Sequence, residues 1–200
     1  MGRPKSALPF GPGTLLDWMI VLLHEAVDEV WISVARPEDA PSASISRSVS
    51  GVLIDADPGQ GPLAALGNAL AALERPILFV ACDLPFLSPD DLRLLAGSVD
   101  RMGAADRAAP QAILLADDRG PQPLAGLYHP ELRLQIDARL AAGDRAMHEL
   151  LAGIRYETAS ARARIPGCPP LANVNAPGDY ESAVRMAVAA GLISLARILP

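Results

Sequence analysis

Apolar residues along this chain recur with the period of a strand in some segments and with the period of a helix in others. Residues 27–35 alternate apolar and polar positions, residues 51–54 form a short apolar run, and residues 76–81 are continuously apolar, as in a strand buried on both faces. Two later apolar runs predict strands at residues 112–115 and 125–128. Helical spacing predicts helices over residues 15–26, 63–73, 131–142, 145–151 and 180–199.

Turn chemistry marks where two of the helices begin. Thr14 is followed three residues later by Asp17, the arrangement of a capping box. Ser88 precedes Pro89, which is typical of a helix start. Strands and helices in alternation predict an α/β protein with three layers and a mainly parallel sheet. The 200 residues, half of them hydrophobic, are expected to form a single domain covering residues 1–200.

Two aspartates stand directly after predicted strands, where ligands collect in such folds. Asp83 leaves the apolar run at residues 76–81, and a carboxylate there is costly unless it is paired, hydrogen-bonded or bound to metal. Proteins often hold Mg²⁺ with one carboxylate, substrate phosphates and water. A turn aspartate before Pro85 is the alternative interpretation. Asp55 precedes Gly59 and Gly61, glycines that allow a ligand to approach the backbone before a helix.

Composition excludes several classes of function. A net charge of −6 gives no attraction to a polyanion, so nucleic-acid binding is not expected. The two cysteines, Cys82 and Cys168, have no CxxC or histidine pairing that would suggest zinc. The chain has no GxxxxGK[ST] motif and no signal peptide, and its longest uncharged stretch near the end is too short for a membrane span. We expect a cytoplasmic protein that meets no membrane.

Six segments, in order along the chain, resemble segments of one known family. Met1, Gly2 and Lys5 fit the end of a glycine-rich Arg-Met-Gly-x-x-Lys signature, and residues 55–66 resemble its aspartate-then-Gly-Pro-Leu-Ala element. Cys82-Asp83-Leu84-Pro85 matches a metal-aspartate motif, residues 122–128 and 142–147 match a later region, and residues 171–177 match an asparagine-rich closing motif. Through residue 185, the chain thus resembles the molybdenum cofactor guanylyltransferase family, whose fold is a Rossmann-like nucleotidyltransferase fold.

The resemblance implies transfer of GMP from GTP to molybdopterin, with release of pyrophosphate and with Mg²⁺ as cofactor. It implies catalytic roles for Lys5 and Asp83, with Asp83 as the metal ligand. The residues implied in nucleotide binding are Gly2, Lys5, Asp55, Gly61, Pro62, Asp83, Asn173 and Asn175. Implied protein partners are those that supply molybdopterin and those that mature molybdoenzymes.

The sequence departs from the family at its beginning, where the first strand and the paired glycines of the signature are missing. The first strand is central in doubly wound sheets, so we expect a gap in the sheet with two exposed edges, and Lys5 at a frayed terminus. Two alternatives to the guanylyl assignment remain. One is a cytidylyl or sugar-nucleotide transferase of the same fold, and the other is a catalytically inactive remnant.

Overall fold

A computed structural model describes residues 4–56, 58–102 and 108–194. Its eight strands are β1 (Pro9–Phe10), β2 (Gly13–Thr14), β3 (Trp31–Val34), β4 (Gly51–Ile54), β5 (Ile77–Val80), β6 (Ala112–Asp117), β7 (Gly120–Tyr128) and β8 (Tyr156–Ser160). Its seven α-helices are α1 (Leu15–His24), α2 (Ala43–Ser46), α3 (Pro62–Leu73), α4 (Pro89–Ala96), α5 (Arg133–Ala141), α6 (Met147–Ala152) and α7 (Pro177–Ala189). These counts apply to the described ranges.

The strands form three separate groups. β1 and β2 make a small antiparallel hairpin, β3 and β4 pair in parallel, and the largest sheet has the order β5-β7-β6-β8. In that sheet β6 pairs with β8 in parallel, whereas β7 runs antiparallel to both β5 and β6.

Helices cover both faces of the sheet, as a three-layer arrangement requires. Leu78 and Val80 of β5 pack into an apolar cluster that includes residues of α1 and α4. Ile77 and Phe79 pack on the other face with residues of α3 and α5. Successive side chains of a strand point to opposite faces, so β5 contacts apolar residues of both helical layers.

The α/β class and the Rossmann-like fold are confirmed, but the expectation of a mainly parallel sheet needs one correction. The large sheet is mixed because β6 and β7 are consecutive strands of a hairpin, with only residues 118–119 between them. A parallel connection needs a crossover of a dozen or more residues. A link of two residues therefore requires antiparallel pairing.

The expected gap is present between β3 and β5. In the described residues β3 pairs only with β4, and β5 pairs only with β7. A cavity of about 780 Å³ separates the two strands and is lined by both of them, by α1 and by α3. The large sheet and the β3–β4 pair are therefore separate sheets on either side of this cavity, which we call the slot.

The predicted helix starts are confirmed, and two other boundaries differ from the sequence pattern. Thr14 accepts a hydrogen bond from Asp17 N while the Asp17 carboxylate accepts from Thr14 N, and Ser88 Oγ accepts from Asp90 N. The final helix begins at Pro177 and ends at Ala189, close to Gly191, whose φ is +70°. The sequence pattern missed β8 altogether.

Candidate active site

Three predicted site residues from distant parts of the chain meet at the end of β5. The Lys5 ammonium lies 3.3 Å from Asp83 Oδ2 and also donates a hydrogen bond to Asn175 Oδ1. Lys5 belongs to a short 3-10 turn, Lys5–Ala7, that leads into β1. The expectation of a frayed Lys5 is therefore wrong, because side-chain contacts hold it against the loop after β5.

Hydrogen bonds from two other segments hold the loop that carries Asp83. Val174 N donates to the Asp83 carbonyl oxygen at 2.9 Å, which joins this loop to the asparagine-rich segment. Trp18 of α1 donates from Nε1 to the Pro85 carbonyl at 2.8 Å. The Asp83 side chain is 18% exposed, so its carboxylate is held near the surface and can still meet a ligand.

Asn175 is positioned by the start of α7. The Asp179 carboxylate accepts hydrogen bonds from Asn175 N at 3.0 Å and from Ala176 N at 2.7 Å. Asn173 lies two residues earlier and is partly buried. Within the described ranges its side chain makes no hydrogen bond to Lys5 or Asp83, so the structure joins one of the two predicted asparagines to this cluster.

Asp55 lies apart from that cluster, at the end of β4. Ser33 of β3 donates from Oγ to Asp55 Oδ1 at 3.2 Å, and Asp55 N donates to the Val34 carbonyl at 2.9 Å. Burial raises the pKa of the Asp55 carboxyl, and the Ser33 hydrogen bond offsets part of that rise.

A second cavity of about 540 Å³ opens beside Asp55, and two arginines line it. Arg145 donates to the Gln60 side-chain oxygen, and Arg133 of α5 lies on the same wall. Asp144 accepts from Ala146 N at 3.1 Å, and α6 begins only at Met147, so Arg145 lies in the turn before that helix. Sequence reasoning placed Arg145 inside a helix and gave it no role; the Gly-Asp pair before it was the available signal.

The turn before α3 has the backbone conformation expected from its glycines. Gly61 has φ +79°, a value that favours glycine, and Pro62 is the first residue of the helix. A Cβ atom at Gly61 would meet nothing within 4 Å, so the space above the turn is open to a ligand. Gly2, the remaining predicted nucleotide-binding residue, lies outside the described residues.

Lys5, Asp83 and Asn175 together are called the Lys5 cluster below. Its oxygen donors suit a hard cation such as Mg²⁺ only if substrate oxygens supply the remaining ligands. No group of three His, Cys, Asp or Glu side chains suited to a metal occurs in residues 4–56, 58–102 or 108–194. Asp83 and Asn175 offer a carboxylate and an amide oxygen, which are Mg²⁺-type donors. Lys5 contacts both side chains, which shows that this position attracts positive charge.

A family model described as the MobA-like NTP transferase domain matches residues 1–161. The chain belongs to this family. A probable molybdenum cofactor guanylyltransferase from Mycobacterium avium (strain 104) is 31% identical over 188 residues, covering 91% of this chain and 87% of that protein. By family and fold, this protein is a nucleotidyltransferase similar to molybdenum cofactor guanylyltransferases.

Two solved structures show the same fold. Molybdopterin-guanine dinucleotide biosynthesis protein A from Archaeoglobus fulgidus is 18% identical, with a TM-score of 0.74 over 94% of this chain and 92% of that chain. A Mycobacterium tuberculosis protein solved in complex with manganese is 20% identical, with a TM-score of 0.65 over 92% and 93% of the two chains.

Two other reactive groups of this MobA-like transferase have structural roles. Burial raises the pKa of the Cys82 thiol, and the neighbouring Asp83 charge raises it further, so Cys82 is a poor nucleophile. Tyr128 is buried in β7 and donates to the Pro123 carbonyl at 2.6 Å.

In the part of the chain that the structure describes, no helix has the length and hydrophobicity to cross a membrane.

Proposed function

We propose that this transferase moves GMP from GTP to the terminal phosphate of molybdopterin and releases pyrophosphate. The observation that carries the proposal is the meeting of Lys5, Asp83 and Asn175 at the end of β5. One cation and two oxygen donors at one point suit a triphosphate with its metal. The similarity to a probable guanylyltransferase supports the choice of GTP and of a molybdopterin acceptor.

In this reaction an oxygen of the acceptor phosphate attacks the α-phosphorus of GTP. The bond from the α-phosphorus to the bridging oxygen breaks, and that oxygen leaves with pyrophosphate. A phosphate monoester has a second pKa of about 6, so it is already mostly dianionic at neutral pH and needs no general base. The lack of a histidine in the cluster therefore agrees with the chemistry.

Lys5 would donate to the oxygens on the α- and β-phosphates and offset the charge that develops there. Asp83 would hold Mg²⁺, with the Asn175 amide oxygen as a second donor. When bound, the metal would supply Lewis-acid neutralisation of the phosphate oxygens. The loop contacts from Val174 and Trp18 would keep the Asp83 carboxylate in place during the reaction.

The nucleoside would extend from this cluster toward Asp55 and the turn at Gly61 and Pro62. Asp55 can accept from sugar hydroxyls or ring N–H groups, and the open space above Gly61 admits a flat base. Asn173 would line the same cleft. The protein partners that deliver molybdopterin or receive the product, and the cytoplasmic location, remain predictions.

Thermal unfolding with nucleotides tests the choice of base. A ligand at a hundred times its Kd stabilises the folded state by about 2.7 kcal/mol. At about 2–4 °C per kcal/mol for a chain of this size, GTP with Mg²⁺ should raise Tm by about 5–10 °C. CTP and ATP at equal concentration should give smaller shifts. A larger shift with CTP would move the assignment to the cytidylyl alternative, and equal shifts would leave only a general phosphate site.

A further inference from the structure

Lys5 is the only lysine in the 200-residue sequence, whose other basic side chains are arginine or histidine. A lysine carries its charge as a compact ammonium on a flexible stem. The place of that charge therefore depends on how firmly the backbone around Lys5 is held. The contacts that hold residues 5–9 decide where the ammonium meets a ligand.

The contacts that the Lys5 ammonium itself makes are open to solvent and to a ligand. The Lys5 side chain is 39% exposed, and Asn175 lies on the surface. An exposed ion pair contributes little to stability. Under the proposed function, phosphates and metal bind at these same side chains, so the ammonium must leave them when the ligand enters. A different contact is needed to keep residues 5–9 in place at that moment.

A second contact joins the same two segments of the chain. Tyr180 of α7 donates from its hydroxyl to the Pro9 carbonyl at 2.7 Å. Pro9 follows Lys5 by four residues, and Tyr180 follows Asn175 by five. We call the Lys5–Asn175 contact the exposed link and the Pro9–Tyr180 contact the tyrosine link. Pro9 and Tyr180 are partly buried and belong to no proposed ligand group, so the tyrosine link can stay closed when the exposed link opens.

One turn at the start of α7 holds both partners of the exposed link. The Asp179 carboxylate accepts from Asn175 N at 3.0 Å, which fixes the asparagine. Tyr180 is the next residue and holds the Lys5 segment through Pro9. The distance between the Lys5 and Asn175 segments is therefore set by two adjacent residues of a single helix.

Apolar packing supports the tyrosine link from below. Each member of the Lys5 cluster is near in sequence to one buried residue of a shared apolar cluster, and these residues are Phe10, Val174 and Phe86. The Tyr180 side chain packs against this same cluster. Burial raises the pKa of the Tyr180 hydroxyl, so it stays protonated and can donate at neutral pH.

We propose that Tyr180 is a positioning residue for the transfer reaction, because its hydroxyl keeps the Lys5 segment against α7 after the exposed link has opened. This inference rests on the proposed binding of the nucleotide phosphates by Lys5. A displacement of a catalytic group by about 1 Å can cost about a hundredfold in rate, so a contact of this kind has a measurable effect. A tyrosine that served stability alone would leave the ammonium unaffected.

The first test follows Lys5 without any nucleotide. Because the sequence has one lysine, protein labelled with ¹³C-lysine gives one set of lysine signals, and relaxation of the ε-carbon measures the order of the side chain. Asn175→Ala opens the exposed link without a ligand. In that background Tyr180→Phe, which removes only the hydroxyl, should shift the Lys5 relaxation toward that of free lysine. Unchanged relaxation would overturn the proposal.

The second test measures by calorimetry whether Tyr180 acts through Lys5. Tyr180→Phe should weaken the binding of GTP with Mg²⁺ about three- to tenfold, the loss expected for one uncharged hydrogen bond. In Lys5→Met protein the same change should cause no further loss, since two residues that act through one contact are not additive. Equal losses in the two backgrounds would contradict a positioning role.

Tyr128→Phe is the matched control. Tyr128 also donates from its hydroxyl to a proline carbonyl, at 2.6 Å, but it packs in a different apolar cluster. Its loss should lower Tm and leave both the Lys5 relaxation and the GTP affinity unchanged. An equal loss of affinity in Tyr128→Phe would show a general effect of stability and overturn the proposal. If the original protein bound no GTP, the proposed function would fail, whereas the Lys5 relaxation would still decide the role of Tyr180.

Discussion

At the scale of single residues, Lys5 is the side chain whose replacement should change ligand binding most clearly. Its ammonium contacts the carboxylate and the amide oxygen that are proposed to hold a cation. The Lys5 side chain is 39% exposed, so its ion pair with Asp83 is screened by water and contributes little to stability. Lys5 can leave that pair at small cost when phosphates and metal arrive.

Replacing Lys5 separates its competition with a metal ion for Asp83 from its contribution to GTP binding. Lys5→Met should raise the affinity for Mn²⁺ alone by about two- to fivefold, because an exposed ion pair no longer competes for Asp83. The same change should weaken GTP binding by about ten- to a hundredfold, the cost of one charged hydrogen bond. Titration calorimetry measures both. Lys5→Arg keeps the charge and should lose much less GTP affinity; equal GTP binding by the Met variant would remove Lys5 from the site.

The family resemblance singled out Lys5, and the apolar run before Asp83 singled out that carboxylate; the structure brings the two side chains into contact. The sequence could not place Arg145, whose side chain reaches Gln60 from the turn before α6, where Asp144 accepts a hydrogen bond from Ala146 N. It also could not show that Asn175, rather than Asn173, reaches Lys5. That choice depends on the two hydrogen bonds that Asp179 accepts at the start of α7.

At the scale of elements, local signals predicted the helices and the buried strands, and tertiary pairing decided the rest. Thr14 and Ser88 mark helix starts that the structure confirms. β8 was missed because Tyr156–Ser160 is a mostly exposed edge strand, so burial gives it no apolar run. Its pairing with β6 forms it, and pairing partners are not visible in a local pattern.

Asp91 links α4 to the segment after β8, and its burial leads us to predict that the stability of the folded state depends on pH. Its carboxylate in α4 is buried and accepts from Arg162 N at 2.7 Å, in the segment after β8, with Arg162 Nε 3.7 Å away. Burial raises the Asp91 pKa, and the bond from Arg162 N only partly offsets this. The folded state therefore holds this proton more tightly, and stability falls as pH rises from the unfolded pKa, about 3.9, through the raised folded value.

Asp91→Asn keeps an oxygen acceptor for Arg162 N and removes the loss of stability that ionisation of Asp91 causes at higher pH. The Tm of the variant should exceed the Tm of the original protein at pH 7, and the difference should shrink as the pH falls toward 4. Calorimetry across this range measures it, with Asp118→Asn in the exposed β6–β7 turn as the control that shows no such trend. A variant that is less stable at pH 7 would show that the Arg162 contact outweighs the cost of burying the charge.

At the scale of the whole molecule, the slot and the Lys5 cluster are neighbours. β5 borders the slot along its length and then leads into Asp83, and Ser6 lines the slot directly after Lys5. Among the described residues, no strand pairs with both β3 and β5. The sequence pattern could not predict that Lys5 is held beside Asp83, since that depends on contacts to residues 78 and 170 positions away.

We propose that the cluster at the end of β5 transfers GMP to molybdopterin. The most direct measurement supplies GTP labelled on its α-phosphate, Mg²⁺ and molybdopterin, and follows the label into the pterin product together with released pyrophosphate. We expect equal amounts of labelled product and pyrophosphate. Asp83→Asn should lower turnover by several orders of magnitude with an unchanged Tm, and Asp118→Asn should keep full activity. Label that stays in GTP or GMP, label that transfers only from CTP, or an active Asp83→Asn variant would contradict it.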